Sequence, residues 1–306
     1  MSDVTRVRAK LIDGEAMAAD LKTRVVARVA ALAERGVRPG LATVLVGADY
    51  SAQAYERRVR RLAAELGCRY VCEQLPADAE EADAVAAVGK LDADPRVSGI
   101  LVLRPLPPHV SEVALYRALD PRKDIEAVHP VNAGLLALGR PRFVPSTPAS
   151  AFHMLDRYLA DSGRDPAAFY AGGLVVVVGR SANVGKPAIL LAMERNATVV
   201  SCDVHTYRAG RLYELTAAAD ALIVAVGVPG LITGDHVRDG VIAIDVGINA
   251  VRDVHTGRMR LVGDLDLDSV AAKAEAVSPV PGGVGPITDV WLLRNTVTAI
   301  EAATPP

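Results

Sequence analysis

Gly179-Arg-Ser-Ala-Asn-Val-Gly185 stands between an apolar run with the character of a buried strand and a segment with helical spacing. A turn without bulky side chains there lets backbone amides and a helix N-terminus face a pyrophosphate. The spacing is one residue longer than G-x-G-x-x-G, and Ser181 takes the place of the middle glycine. A tight turn with no ligand would look the same in isolation; the strand-turn-helix-strand setting favours nucleotide binding. Asp203 ends the next strand, where a carboxylate would bond the ribose hydroxyls of NAD and repel the 2′-phosphate of NADP. A solvated carboxylate at a strand end is the alternative reading. Arg180 could pair with a 2′-phosphate, so NAD and NADP both stay open, with a lean to NAD.

Other chemistry-bearing residues are sparse. The three cysteines, Cys68, Cys72 and Cys202, are too few and scattered for a disulfide framework, and no second pair completes a zinc site. His129 and His153 have no evident partner, and no metal spacing is present. Free thiols point to a reducing, cytoplasmic setting. Arg57, Arg58, Arg60 and Arg61 read as a solvated helix face.

The elements that must hold these residues follow from periodicity. Apolar residues at helical spacing run from Gly14 to Gly36, and Gly40–Gly47 reads as a buried strand. A helix from about Ser51 to Leu66 stops at Gly67. The strand from Gly99 ends in a proline-rich stretch at Pro105, Pro107 and Pro108, which withdraws backbone donors from the sheet. Residues 120–148 read as a loop-rich crossing, and a helix from Ala149 to about Leu159 enters a second unit of alternating strands and helices, the pattern of a parallel doubly wound sheet. A glycine-proline loop, SPVPGGVGPIT, feeds a terminal helix beginning at DVWLL.

Composition agrees. A chain of 306 residues, 51% hydrophobic and only 4% aromatic, has room for two cores packed with Val, Leu, Ile and Ala. A net charge of −2 argues against nucleic acid or an anionic membrane as partner. The charged N-terminal stretch lacks the apolar segment of an export signal, and no run is apolar enough to span a bilayer.

Taken in order, SAQAYERR, GILVLRPLP, DPRKDIEAVHPVN, PSTP, VVVGRSANVGKP, DALIVAVGVPG, IDVGIN, VGDLD and PVPGGVGPIT resemble the methylene-tetrahydrofolate dehydrogenase/cyclohydrolase family from about residue 10 to 302. The resemblance implies a two-domain α/β fold. An N-terminal folate-type domain would comprise residues 1–148 together with the returning C-terminal helix, 281–306, and a Rossmann-like nicotinamide domain residues 149–280. It implies a folate-type small-molecule substrate, a homodimer paired through the cofactor domain, and a cofactor site at Gly179, Arg180, Ser181, Val184, Gly185, Asp203, Val204 and Ile248. Substrate-side positions would be Tyr55, Val59, Leu103, Glu126, Pro281, Gly282, Gly283, Pro286 and Asp289, with Tyr55 the one catalytic position whose residue is kept.

The departures shape the functional expectation. The family's Tyr-x-x-x-Lys becomes Tyr55 with Val59 at the lysine position, and its strand glutamine becomes Leu103, followed by Arg104. Its K-D-V-D-G-F becomes KDIEAV, placing Glu126 at the pterin-binding aspartate and Ala127 at the glycine. Asp289 stands where a small apolar residue is usual. Hydrolysing a methenyl bridge needs water and proton transfers, which Val59 and Leu103 cannot serve. Hydride removal mainly needs the methylene carbon aligned against the nicotinamide ring. Arg58 and Arg60 sit about 100° either side of Val59 on a helix, and Arg104 should face away from Leu103 in a strand unless the proline-rich end twists it round, so substitution by these cations stays open but is not the leading expectation. The leading expectation is therefore NAD(P)-dependent oxidation of 5,10-methylene-tetrahydrofolate with cyclohydrolase activity lost or severely reduced. A relative recruited to another one-carbon reaction is the second reading, and a silent folate- or NAD(P)-binding partner the third.

Overall fold

The computed structural model describes residues 9–252 and 257–304; the charged residues 1–8, read above for an export signal, lie outside them. In chain order come β1 (Lys10–Leu11), α1 (Gly14–Glu34), β2 (Gly40–Val46), α2 (Tyr50–Glu65), β3 (Arg69–Leu75), α3 (Glu81–Ala93), β4 (Gly99–Val102), α4 (Glu112–Ala118) and α5 (Pro130–Ala137). Then follow α6 (Ser146–Asp161), α7 (Pro166–Gly172), β5 (Leu174–Val178), α8 (Gly185–Glu194), β6 (Thr198–Cys202), α9 (Val204–Arg208) and α10 (Leu212–Thr216). The last are β7 (Ala221–Val224), β8 (Ile242–Asp245), β9 (Asn249–Arg252), β10 (Met259–Val262), α11 (Leu267–Ala271), β11 (Ala276–Val277) and α12 (Val284–Ala303).

The chain divides into two compact units, one of residues 19–146 and 289–304 and one of residues 9–18 and 147–288. The first holds a parallel three-stranded sheet in the order β3-β2-β4. All seven residues of β2 are buried, as befits a central strand covered on both faces. The second holds a six-stranded sheet, β1-β11-β8-β7-β5-β6, parallel throughout. Its core is built from Val176, Val178, Leu222, Val224, Ala243 and neighbours, the β-branched and small residues that parallel strands favour.

Several boundaries differ from the sequence-based expectation. Residues 9–18 group with the larger sheet because β1 pairs with β11, through Lys10 opposite Ala276 and Leu11 opposite Val277. Residues 281–288 belong to that unit too, so the returning C-terminal portion starts at 289. Helix α12 already begins at Val284, earlier than DVWLL suggested. The loop-rich crossing contains α5, which starts on Pro130 and is capped by His129 Nδ1 accepting from Val131 N. The antiparallel β9–β10 pair was not anticipated. Among the described residues no helix is long and apolar enough to cross a membrane.

Candidate active site

In the smaller unit, four chain segments converge on Tyr55. It lies on α2, which starts at an N-cap where Asp49 Oδ1 accepts from Ala52 N at 3.0 Å. One turn further on, Arg58 reaches across to α12, its Nε 2.6 Å from Asp289 Oδ2 and its Nη2 3.1 Å from Oδ1. This two-pronged pairing is the geometry that fixes a carboxylate most firmly. The same guanidinium lies 4.9 Å from the centre of the Tyr55 ring. Burial pushes the Tyr55 hydroxyl far above its usual range, with the charges of Asp289 and Glu126 adding and those of Arg58 and Arg104 opposing. Tyr55 is therefore a neutral hydroxyl at any working pH.

Glu126 is placed by its neighbours. The buried Asp124 accepts from Val128 N, His129 N and Asn132 Nδ2, folding residues 124–132 into a fixed loop. From α12, Asn295 Nδ2 donates to Ile125 O and to Val144 O. Glu126 itself accepts from Ser146 Oγ at 2.9 Å and Ser146 N at 3.2 Å. Burial pushes its carboxyl up to about 7; the Ser146 bonds and Arg104 oppose the rise and Asp124 adds to it. Glu126 and Tyr55 are half-buried, so each keeps some surface on which a ligand could rest.

Ala127 adopts φ +52°, a left-handed conformation that disfavours any residue with a Cβ. The structure thus explains why a glycine is usual there. Ala127→Gly is expected to raise stability by about 1 kcal/mol, read as a higher urea midpoint with unchanged slope.

The structure places the other substrate-side residues as follows. Val59 is 0% and Leu103 1% exposed, so both are sealed in the apolar interior and present no surface to a ligand. Arg58 stays on the solvated side, its side chain 57% exposed, while its guanidinium pairs with Asp289 and lies over the Tyr55 ring. Arg60 turns the other way, bonding Glu56, which also accepts from Tyr70 Oη at 2.8 Å. Arg104 acts electrostatically on both Tyr55 and Glu126, because β4 ends at Val102 and strand alternation no longer applies. Arg58 and Arg104, not the leading expectation on sequence geometry, are thus the cations of this site. Tyr55, Glu126 and Asp289 come together; Pro281, Gly282, Gly283 and Pro286 belong to the other unit. There Gly282 has φ +96° and its carbonyl accepts from Gly14 N.

In the larger unit the glycine turn joins β5 to α8. Gly179 has φ +116°, and a Cβ there would lie 2.2 Å from Ala225 O. A Cβ on Gly185 would lie 2.1 Å from Gly179 O, so strand end and helix start pack backbone on backbone. Ser181 Oγ accepts from Val184 N at 3.2 Å and Gly185 N at 3.3 Å. These are long bonds to a neutral acceptor, which an anionic phosphate oxygen can replace. The glycine cradle and the helix start suit a dinucleotide pyrophosphate.

Asp203 carries two duties. Its Oδ1 caps α9 by accepting from His205 N and Thr206 N, and its Oδ2 lies 2.9 Å from Arg180 Nη1. Arg180 also donates to Ser201 Oγ and Ser201 O. The Thr206 amide bond and Arg180 hold the Asp203 carboxyl below its usual range. Val204 and Ile248 are exposed apolar side chains of the same unit. Among the described residues no three His, Cys, Asp or Glu side chains gather as a metal site.

A parallel doubly wound sheet with this turn, in a chain with a second α/β unit carrying a polar cluster, fits a class: two-unit α/β oxidoreductases that use NAD(P). Residues 145–304 match the profile described as tetrahydrofolate dehydrogenase/cyclohydrolase, NAD(P)-binding domain, and residues 12–126 that of the catalytic domain. Bifunctional protein FolD 3 of Rubrobacter xylanophilus is 70% identical over 292 residues, 95% of this chain and 92% of that protein. The bifunctional FolD methylenetetrahydrofolate dehydrogenase/cyclohydrolase of Campylobacter jejuni superposes with a TM-score of 0.88 at 32% identity, over 97% of this chain and 100% of that one. The Trypanosoma brucei enzyme, solved with NADP and an inhibitor, gives 0.89 at 34% identity over 97% and 99%. This chain belongs to the tetrahydrofolate dehydrogenase/cyclohydrolase family.

One functional expectation is overturned here. Val59 and Leu103 suggested that cyclohydrolase activity had been lost. A relative sharing 70% of its residues along nearly the whole chain is named bifunctional, and both family profiles match. The reading tied hydrolysis to two side chains, whereas charged groups also gather around Tyr55 from neighbouring positions.

Proposed function

We propose that this protein catalyses both steps of the family's reaction, oxidising 5,10-methylene-tetrahydrofolate to the methenyl form with NAD(P) and then hydrolysing it to 10-formyl-tetrahydrofolate. The observation that supports this most directly is the cluster of two carboxylates and two guanidinium groups around Tyr55. Glu126 would accept hydrogen bonds from the amino and ring N–H groups of a pterin, held on its far side by Ser146. Tyr55, backed by Arg58, offers an aromatic face for the ligand. Pro281, Gly282, Gly283 and Pro286 keep their substrate-side assignment through their motif. When bound, the nicotinamide accepts the hydride; the turn at Gly179–Gly185 holds its pyrophosphate.

For the cofactor we infer NAD. The charge of Arg180 is already compensated by Asp203, so a 2′-phosphate approaching that guanidinium would meet a fixed carboxylate. Asp203→Asn keeps an oxygen to cap α9 while removing the charge. It is expected to raise the ratio of kcat/KM for NADP⁺ over NAD⁺ about tenfold, measured by initial rates with each cofactor. An unchanged ratio would remove Asp203 from the selection.

A homodimer paired through the larger unit fits the exposed Met259 and Leu261 on its β9–β10 pair, and the free cysteines suit a cytoplasmic setting. The oxidative half is tested by incubating the protein with methylene-tetrahydrofolate and either nicotinamide cofactor. Enzyme-dependent reduced nicotinamide is expected; none with either cofactor would sink the proposal.

A further inference from the structure

We propose that Asp289, clamped by Arg58, is the group that positions and deprotonates water in the hydrolytic half-reaction, where the family relies on a lysine. This rests on the bifunctional reading above.

Hydrolysis of a methenyl bridge needs a polar side chain at the cationic carbon, and Val59 and Leu103 offer no polar atom and essentially no surface. Four titratable or charged side chains act on Tyr55: Arg58, Arg104, Glu126 and Asp289. The guanidinium groups stay protonated and cannot take a proton from water. Tyr55, itself neutral, cannot act as a base. Glu126 is turned to Ser146 and to the pterin it is proposed to bind, which sets it away from the reacting bridge. Asp289 is the remaining carboxylate, and it is held near Tyr55 through Arg58, whose guanidinium pairs with it and lies 4.9 Å from the Tyr55 ring centre.

The surroundings of Asp289 suit this task. It is only 8% exposed, while its partner Arg58 has a side chain 57% exposed. The guanidinium thus lies to the outside and the carboxylate to the inside. Gripping both oxygens through Nε and Nη2 prevents the carboxylate from swinging onto the cationic ligand, and each oxygen has a second lone pair that can take a water proton. A clamped carboxylate is a modest base, but a positively charged carbon is already a strong electrophile. Orientation of the water is then the larger need.

The chemistry balances as follows. The water oxygen bonds to the methenyl carbon, one water proton passes to Asp289, and the C=N electron pair withdraws onto nitrogen. The bond from that carbon to the pterin nitrogen then breaks, with its electrons staying on nitrogen, and Asp289 returns its proton there. The remaining hydroxyl proton leaves to solvent, and the formyl group stays on the other nitrogen. Nothing is oxidised or reduced.

The test uses the purified full chain and follows two rates, hydrolysis of supplied methenyl-tetrahydrofolate above the buffer rate and oxidation of methylene-tetrahydrofolate. Asp289→Asn is expected to cut hydrolysis about 100-fold or more while oxidation falls less than about tenfold. Asp289→Glu, which restores a carboxylate, is expected to recover part of the hydrolysis. Hydrolysis by Asp289→Asn within about threefold of the parent, or equal loss of both rates, would overturn the proposal and leave Asp289 an anchor for Arg58. Absence of hydrolysis in the parent protein would remove the bifunctional reading itself, and this proposal with it.

Discussion

Glu126→Gln is expected to raise the KM for the folate substrate about 10- to 100-fold and to flatten its pH dependence near neutrality. The carboxylate is the proposed acceptor for two pterin N–H groups, and hydrogen bonds to a charged acceptor contribute about 1.5–3 kcal/mol. An amide replaces one acceptor oxygen by a donor, which faces the pterin N–H groups with the wrong polarity. The pH dependence follows from where the side chain lies. Burial lifts its titration from the ordinary carboxylate range to about 7. Above that pH the group is ionised and accepts; below it a proton occupies one oxygen and the bonds weaken. The parent KM is therefore expected to rise as pH falls through about 7, a change the variant lacks. Initial rates at saturating cofactor across this range measure both. A parent KM indifferent to pH, with a variant of equal KM, would remove Glu126 from pterin recognition.

Gly185→Ala is expected to abolish usable cofactor affinity and to lower stability by about 3 kcal/mol. The new Cβ would lie 2.1 Å from Gly179 O and 2.8 Å from Arg180 N. Both are backbone atoms, fixed by β5 and by the start of α8, so no side chain can swing aside. Relief requires the turn to open, which carries the amides of Val184 and Gly185 away from Ser181 and from the proposed pyrophosphate position. Titration of reduced nicotinamide fluorescence and a urea melt measure the two effects. Folate binding should persist, since Tyr55, Glu126 and Asp289 all lie in the other unit. A variant binding cofactor like the parent would show that the close packing at this turn does not shape the nucleotide site.

The parts of the fold that were legible in the sequence are those set by local pattern. Valine runs bounded by Gly173 and Gly179 marked β5, and Gly67, which takes φ +76°, marked the stop after α2. The turn at Gly179–Gly185 was readable because its geometry depends on the glycines themselves. Less legible were features decided by distant partners. Arg58 could not be aimed from α2 alone, because the carboxylate that draws it lies 231 residues further on. Helical angle put Arg58 beside Val59; a long flexible side chain then reached where the shorter one could not. The aim of Arg104 was left to whether the proline-rich end twists it round, because the strand stops at Val102, a boundary fixed by pairing with β2 rather than by composition. β1 escaped notice because two residues carry no periodicity, and its place follows from pairing with β11. Ala127 looked like an arbitrary departure from glycine until its positive φ made the conformational cost visible.

These misses have one consequence for function. Reading the site by sequence position removed a lysine at Val59 and a glutamine at Leu103, and implied a dehydrogenase of the methylene bridge alone. Placing the side chains in space sets Arg58 and Arg104 beside Tyr55, Glu126 and Asp289, which the sequence had already put on the substrate side. The bifunctional names of relatives agree with the proposal that these groups serve hydrolysis.

The most direct measurement is the decay of methenyl-tetrahydrofolate mixed with purified protein in the absence of nicotinamide cofactor, compared with the same buffer alone. Decay that accelerates in proportion to protein concentration, with 10-formyl-tetrahydrofolate as product, is the predicted result. Decay at the buffer rate at every protein concentration, from a preparation that still oxidises methylene-tetrahydrofolate, would contradict the account.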